Sequence, residues 1–403
     1  MIHKLKAYIR EGKFLVDRKL AILLWFGLSL IAILLTYFHH TGFNNYLIFK
    51  QVYYHTLAQK NLYVAYPTEY GDVNLYGPVF AIVIAPFAIL PDIIGSALWV
   101  LFSSLFLFYA ILKLPIKKEY CYGIVLFSAL EMMNVASYFH SNAFIAACII
   151  LGFVFVNKGK DWLGLLFILL ATFIKIYGIV GLAFFFFSKD KWHFIFWVFS
   201  WCIVLFLLPM ILSSPQFIFQ SYINWFEGLV LKAGKNVNLV NNNFFQDISV
   251  MGMCRRIFNL NNLKDSYILV PAVVVFFIQY IRFSYFDDIR FRLYLLCSVL
   301  LFVVIFSSGS ESPTYIIAFP AICIWYFLQH KSRWVNAFFG FAFLLTCLSY
   351  SDILTPFVRN HLVRPFALKA LPSFITWLII CIQMYSKQFL TIDLQKTIPI
   401  CVK

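Results

Sequence analysis

The sequence predicts an all-α polytopic membrane protein, and its composition is the main reason. Of 403 residues, 62% are hydrophobic and only 12% are charged, and the mean hydropathy is +0.84. Soluble domains carry about a quarter charged residues, so a chain with so few charges is not expected to be soluble. At about 20 residues per helical span plus loops, the chain has room for roughly eleven to twelve membrane segments.

The distribution of positive charge supports a membrane protein and indicates its orientation in the membrane. The 32 basic and 17 acidic residues give a net charge of +15, but the basic residues fall in short clusters between apolar runs, which is typical of orientation signals and not of a nucleic-acid surface. Six of them precede the first span. Roughly two thirds fall in segments that this places in the cytoplasm. We therefore expect both termini in the cytoplasm of a bacterial inner (plasma) membrane.

The expected organisation is one transmembrane bundle over residues 20–385, between a cytoplasmic N-terminal segment, 1–19, and a cytoplasmic tail, 386–403. Two large outer loops, 39–77 and 213–266, interrupt it. The predicted spans cover 20–38, 93–112, 121–138, 143–157, 193–212, 267–281, 291–307, 313–329, 334–351 and 371–385. The run 78–90 is too short to span and is expected to be interfacial or re-entrant.

The apolar run Trp162–Phe187 is unusual because basic clusters lie at both ends and Lys175 lies in the middle. A single span would place one of these clusters outside. A hairpin of two short helices that turns around Lys175 keeps both clusters inside, and this is the prediction. A lysine within the membrane is costly unless it is paired or hydrated; it either extends to the outer interface or contacts a lipid phosphate.

Several kinds of chemistry have no support in the sequence. The chain lacks a Gly-rich phosphate loop, a GxSxG elbow and an HExxH pair. Its nine cysteines are scattered without a CxxC pair, so neither a disulfide framework nor a zinc site is indicated. We expect no metal and no cofactor.

The first outer loop is the richest in polar groups. An amphipathic stretch begins at Asn44-Asn45-Tyr46 and ends near Gln59, and Glu69, Asp72 and Tyr76 follow it. An interfacial helix with an aromatic belt explains this pattern without any ligand. The amides and phenols also suit hydroxyl-rich ligands, because each can donate or accept hydrogen bonds. Both interpretations remain open.

The order of motifs along the chain resembles glycosyltransferase family 87 of the GT-C superfamily. In the first loop, the matching residues are Asn45, Ile48, Phe49, Asn61-Leu62-Tyr63, Tyr76-Gly77-Pro78 and Leu90-Pro91. Later segments also match, namely His140-Ser141-Asn142, Phe173-Ile174-Lys175 and the stretch from Asn243 to Arg256.

This resemblance implies a GT-C-like helical bundle and an inverting membrane glycosyltransferase of the hexosyl or mannosyl type. Its co-substrates would be a polyprenyl-phosphate sugar donor and a lipid or glycan acceptor, met on the outer face of the membrane among membrane lipids. The family's acidic position, which the resemblance makes the catalytic base, is Asn45 here. An amide cannot accept a proton at neutral pH, so another carboxylate is needed.

Glu311 is the first candidate for that base because it lies in an outer turn between two spans. A carboxylate at a helix start is equally typical of a cap. Asp72 and Glu69 come next, because they share the first loop with Asn45. Glu131 is expected to be a contact between helices. The predicted substrate-binding residues are Asn44, Tyr76, His140, Asn142, Lys175, Asn243, Gln246, Arg255, Arg359 and Arg364, of which Lys175 and Arg255 are expected to hold the donor phosphate.

Two other classes compete with the transferase. O-antigen polymerases and ligases are also polytopic, but they usually elaborate one late outer loop, whereas the first loop is the richest here. A transporter would show paired repeats and polar residues at broken helices in the membrane midplane. Only Lys175 with Gly178 fits that pattern, so the transporter is the weaker alternative.

Overall fold

The computed structural model describes residues 13–39, 43–238, 246–260, 263–350 and 355–393. In this part of the chain the regular structure is entirely helical, as predicted. The α-helices longer than one turn are α1 (Arg18–His39), α2 (Asn44–Leu57), α3 (Phe80–Ala88), α4 (Asp92–Leu112), α5 (Lys118–Ser137), α6 (Asn142–Asn157), α7 (Asp161–Ile174), α8 (Lys191–Leu207), α9 (Pro215–Asn238), α10 (Val250–Ile257), α11 (Ser266–Ile278), α12 (Ile289–Ile305), α13 (Tyr315–Leu328), α14 (Arg333–Phe343) and α15 (Ala370–Tyr385).

Five helical segments of the described residues are long and apolar enough to cross a membrane, and they are Arg18–His39, Asp92–Leu112, Lys118–Ser137, Lys191–Ile211 and Ser266–Tyr285. Six shorter apolar helices accompany them. Such helices satisfy their backbone hydrogen bonds internally, which the interior of a bilayer requires. The protein is therefore a polytopic helical membrane protein, as the composition predicts.

The core is formed by α6, α12 and α13, in which almost every side chain is buried. A helix that is hydrophobic on all faces is expected to be buried on all faces. In contrast, α8 and α11 are equally apolar but leave most side chains at the surface of the bundle. In a membrane protein such a surface faces lipid.

The predicted hairpin around Lys175 is present. Helix α7 ends at Ile174, Lys175 adopts an extended backbone conformation, and the chain returns as a 3₁₀ helix, Ile176–Phe187. The two arms pack so closely that a Cβ atom at Gly178 would lie 2.4 Å from the backbone nitrogen of Thr172. Only glycine fits at that position.

The two predicted outer loops contain helices. The amphipathic stretch of the first loop forms α2, as expected, and the short apolar run forms α3. The second loop contributes the long helix α9 and the short helix α10. Trp225 of α9 donates a hydrogen bond from Nε1 to the carbonyl oxygen of Leu75 at 2.9 Å, which joins the two loops. Asn243 lies outside the described residues.

Candidate functional site

A cavity of about 410 Å³ lies at the end of the bundle that the sequence predicts to be outside. We refer to it as the first cavity. Six of the predicted site residues line it although they are far apart in the chain, namely Asn45, Asp72, Tyr76, His140, Lys175 and Glu311. The fold therefore brings the first loop, the hairpin turn and the Glu311 turn together.

His140 reaches the first cavity because of how α5 ends. Phe139 adopts a left-handed conformation with φ of +54°, and the backbone N–H groups of Phe139 and His140 donate to the carbonyl oxygens of Ala136 and Val135. This is the Schellman arrangement, in which glycine is the usual left-handed residue. Burial of the Phe139 side chain against Phe43, with ring centroids 5.4 Å apart, compensates for the strain.

His140 lies between Asn45 and the candidate base. Its Nε2 lies 3.4 Å from Nδ2 of Asn45 and 3.5 Å from Oε2 of Glu311. The Asn45 amide is fixed by a further hydrogen bond, from Nδ2 to the carbonyl oxygen of Tyr138 at 2.9 Å. A carboxylate from the opposite side of the bundle thus approaches the first loop.

The electrostatics of this group favour a neutral histidine and a basic carboxylate. Burial, with additional repulsion from Lys175, lowers the pKa of His140 to about 3. Burial raises the pKa of the Glu311 carboxyl above its usual range, although the positive charges of Lys175 and Lys232 act in the opposite direction. A base is most effective when its pKa lies near the operating pH, so the shift at Glu311 suits proton abstraction.

The Glu311 turn is fixed from one side by a buried ion pair. Nζ of Lys369 lies 2.8 Å from Oε1 of Glu131, and both side chains are about 1% exposed. The same Nζ donates to Oγ of Ser312 at 2.9 Å, and Nδ2 of Asn134 donates to that oxygen at 2.9 Å. Glu131 therefore makes the expected contact between helices. Within the turn, Glu311 and Thr314 form a capping box.

The turn is fixed from the other side by the segment that precedes α10. The backbone N–H of Ile248 donates to the carbonyl oxygen of Ser310 at 2.8 Å, and the Tyr315 hydroxyl donates to the carbonyl oxygen of Ile248 at 2.9 Å. Arg255 holds this segment through Asp247, at 2.7 Å between Nη2 and Oδ2. Glu311 thus caps a short helix and also faces the cavity on a rigid support.

Lys175 is one of two lysines that line the first cavity, and the other is Lys232 of α9. Nζ of Lys175 donates to Oδ1 of Asn142 at 2.9 Å and lies 4.5 Å from the centroid of the Tyr177 ring. Among the described residues, no carboxylate lies within 4 Å of it. Gly77 holds the hairpin turn in place, since its N–H donates to the carbonyl oxygen of Ile174 at 3.0 Å.

Two predicted residues of the first loop have partners outside the first cavity. Oε2 of Glu69 lies 2.7 Å from Nε2 of His55. Oδ1 of Asn44 accepts the backbone N–H of Gly71 at 2.6 Å. Both contacts tie the loop back to α2, and neither side chain lines the cavity. Asp72 does line it, with Oδ1 accepting the backbone N–H of Val73 at 2.8 Å.

The predicted residues from the second half of the chain are dispersed. Arg255 is completely buried and contacts Asp247 and Asp265. Gln246 accepts a hydrogen bond from Arg256 through its backbone oxygen. Arg359 donates to the Asn360 side chain at 3.3 Å. None of these residues lines the first cavity, whereas Arg364 lines a neighbouring one.

The sequence interpretation missed the contribution of α9. Leu229, Lys232, Ala233 and Asn236 line the first cavity, and Nδ2 of Asn236 donates to the carbonyl oxygen of Ser308 at 3.1 Å. These four residues recur at intervals of three and four, which is the spacing of one helix face. That periodicity was the signal available in the sequence.

The protein is thus a helical membrane bundle with a polar cavity at one end, and this cavity is lined by a partly exposed carboxylate, Glu311, and by a lysine, Lys175. The model of glycosyltransferase family 87 matches residues 74–308, which is more than half of the chain, so the chain belongs to this family of membrane glycosyltransferases. The matched range includes His140, Lys175 and Arg255, whereas Asn45 and Glu311 lie outside it. A search of curated proteins found no match.

Proposed function

We propose that this glycosyltransferase moves a sugar of the hexosyl or mannosyl type from a polyprenyl-phosphate donor to a lipid or glycan acceptor, with inversion, on the outer face of the membrane. One observation carries the proposal. The first cavity combines a carboxylate of raised pKa, Glu311, with a lysine that has no carboxylate partner nearby, Lys175.

A lipid-linked donor suits the surroundings of Lys175. An apolar groove of about 600 Å³ is lined by the 3₁₀ arm of the hairpin from Ile179 onward, together with residues of α8, α11 and α12 such as Val198, Phe276 and Phe302. At about 2 Å per residue of a 3₁₀ helix, Ile179 lies roughly 8 Å from Lys175 along this arm. A prenyl chain in the groove would place its phosphate near Lys175.

The lysine then stabilises the leaving group. When the bond between the anomeric carbon and the phosphate oxygen breaks, negative charge develops on the polyprenyl phosphate. A fixed cation in a site of low dielectric stabilises that charge more strongly than water does. The phosphate leaves as an anion and needs no proton.

Glu311 completes the reaction as general base. Its carboxylate takes the proton of the acceptor hydroxyl while the acceptor oxygen forms the new bond to the anomeric carbon. His140 stays neutral, with its pKa at about 3, so its Nε2–H can orient the Glu311 carboxylate without adding a positive charge. Asn45 has the position but not the acidity of the family's base, and we assign it a hydrogen bond to a sugar hydroxyl.

The direct test is mass spectrometry of lipid-linked glycans from cells with and without the gene. Loss of one glycan, with accumulation of the same structure one sugar shorter, is expected. If the parent gene restores the lost glycan and the Glu311→Gln variant does not, the change in the glycan profile depends on the first cavity. Identical glycan profiles in cells with and without the gene would contradict the proposed function.

The outer-face assignment has its own test. Cysteines introduced at Gly71 and Asn238 lie in the two large outer loops and should react with an impermeant thiol reagent in intact cells. A cysteine at Lys117, in a predicted inner loop, should react only after permeabilisation. If the cysteine at Lys117 were labelled in intact cells and those at Gly71 and Asn238 were not, the predicted membrane orientation would be wrong. The proposed transfer reaction would not be affected by that result.

A further inference from the structure

Helix α9, with 24 residues, is the longest helix of the described residues, yet it is not one of the helical segments that are apolar enough to cross a membrane. Its side chains contact the ends of three helices of the bundle. The Tyr222 hydroxyl donates to the carbonyl oxygen of Leu205, near the end of α8, at 3.3 Å, and the Tyr222 ring centroid lies 6.1 Å from that of Phe173, at the end of α7. Asn236 donates to Ser308, just after the end of α12. Helix α9 therefore lies along the surface of the bundle that carries the first cavity.

The side chains of α9 form three stripes along the helix, because residues spaced by three, four or seven share one face. The stripe that faces the bundle is buried, contacts the first loop or lines the first cavity, and it consists of Ile218, Ser221, Trp225, Leu229, Lys232 and Asn236. The second stripe is apolar and turned away from the bundle, with side chains between 40% and 66% exposed, and it consists of Phe219, Ile223, Phe226 and Val230. The third stripe is polar and exposed, and it consists of Gln216, Gln220 and Glu227.

The order of the stripes around the helix indicates its surroundings. With about 3.6 residues per turn, the apolar stripe lies between the stripe that faces the bundle and the polar stripe. In water the apolar stripe would be uncovered, and extended apolar patches on protein surfaces mark interaction sites. In the centre of the bilayer Glu227 would be a costly charge. A position at the boundary between lipid and water satisfies all three stripes at once.

The apolar stripe continues the lipid-facing surface of α8. The exposed apolar side chains toward the end of that helix are Phe199, Ile203 and Leu207. The ring centroid of Phe206 lies 6.5 Å from that of Phe219 and 4.5 Å from that of Tyr222, so the first turns of α9 pack directly against the end of α8. The lipid that surrounds α8 therefore reaches the apolar stripe at its first residue, Phe219.

We infer that α9 is an interfacial helix whose apolar stripe is immersed in the membrane leaflet on the side of the first cavity. Helices of this kind bury their apolar face about 5–10 Å into the boundary between headgroups and acyl chains. The inference concerns the position of α9 and does not depend on the proposed transfer reaction. Because Leu229 and Lys232 on the opposite face line the first cavity, the helix holds this cavity at the depth of the lipid headgroups. A lipid-linked substrate can then present its headgroup there while its chain stays in the bilayer.

The test uses the purified full-length protein in phosphatidylcholine nanodiscs. A genetically encoded fluorescent amino acid replaces Phe226 or Val230 of the apolar stripe, and the matched control carries it at Gln220 of the polar stripe. Three quenchers are compared, namely a lipid with a nitroxide near the headgroup, a lipid with a nitroxide near the end of the acyl chain, and iodide in the water. At Phe226 and Val230 the nitroxide near the headgroup should quench severalfold more strongly than either other quencher. At Gln220 iodide should quench most strongly.

Three results would overturn the inference. Equal quenching by iodide at Phe226 and Gln220 would place the apolar stripe in water. Strongest quenching at Phe226 by the nitroxide near the chain end would place α9 in the bilayer core. Protection of Phe226 from all three quenchers would show that a protein surface, such as a second copy of this chain, covers the stripe. No activity is measured, so failure of the proposed transfer reaction would leave the outcome of this test unchanged.

Discussion

Lys175 and Arg255 are both cations inside the bundle, and the sequence suggests the same phosphate-binding role for both. The structure surrounds them differently. Arg255 donates from Nε and Nη2 to Asp247 and from Nη1 to Asp265 and the carbonyl oxygen of Leu263. Lys175 donates to one neutral amide oxygen, at Asn142, and faces a cavity.

The difference separates a cation whose charge is paired within the fold from one that the proposed mechanism can use. A buried charge is costly unless it is paired and hydrogen-bonded. Arg255 meets that condition within the protein and holds the segment behind the Glu311 turn. Lys175 does not, so an anion in the first cavity would gain the interaction that the protein leaves open. We therefore keep Lys175 in the proposed mechanism and assign Arg255 to its support.

The largest effect is expected when the paired cation is removed. Arg255→Gln leaves Asp247 buried without its partner, and breaking such a pair typically costs about 3–5 kcal/mol. The expected result is a strongly lowered melting temperature in detergent and poor expression. Asp247→Asn combined with Arg255→Gln should recover part of the stability, because no unpaired buried charge remains. An unchanged melting temperature in Arg255→Gln would contradict the comparison.

Lys175→Met should show the opposite behaviour. The side chain of methionine retains most of the apolar length of lysine, and no buried carboxylate loses its partner. We expect a nearly unchanged melting temperature and a loss of about 2–5 kcal/mol in binding of a polyprenyl-phosphate sugar. Lys235→Gln serves as the control for nonspecific attraction. Parental donor affinity in Lys175→Met would remove Lys175 from the site.

The candidate base offers a third contrast. Glu311→Gln keeps the size and polarity of the side chain but cannot accept the acceptor proton. Removal of a general base typically lowers the rate by about 10²–10⁴, whereas loss of a simple cap would leave turnover unchanged. We expect at least a hundredfold lower kcat at unchanged melting temperature and donor affinity. Turnover near that of the parent would show that Glu311 is not the base and would make Asp72 the next candidate.

These contrasts also show which parts of the molecule the sequence reveals. Composition and charge clusters predict the helical membrane bundle, and the two basic clusters that flank Lys175 predict the hairpin, because both signals depend on local runs of residues. The partner of a buried cation is a tertiary property. The sequence offers Arg255 two acidic neighbours, Asp247 eight residues earlier and Asp265 ten residues later, but both look equally suited to a solvated loop. The contribution of α9 was missed because its polar residues were attributed to an outer loop.

A smaller effect is expected at Ser312, where the buried ion pair meets the Glu311 turn. Ser312→Ala removes the acceptor of the hydrogen bonds from Lys369 and Asn134 but leaves the pair between Lys369 and Glu131 intact. Since small displacements of reacting groups cost up to about 10²-fold in rate, we expect kcat to fall about tenfold with the donor KM unchanged. Ser373→Ala, at a buried serine of α15 away from the turn, is the control. Equal effects of both variants would indicate a purely structural role.

The smallest effect concerns the pH dependence of activity and its response to a carboxylate at Asn45. The base must be ionised, so activity should fall as the pH drops through the raised pKa of Glu311, while His140, with its pKa at about 3, remains neutral over that range. Asn45→Asp places a second carboxylate against His140. A nearby like charge disfavours ionisation of Glu311 and raises its pKa further, so the acid limb of the kcat/KM profile should move to higher pH by about one unit, with activity retained above it. Asn61→Asp, in the same loop but outside the cavity, should leave the limb in place. A limb that stays fixed or moves to lower pH in Asn45→Asp would show that Asn45 and Glu311 do not share one site.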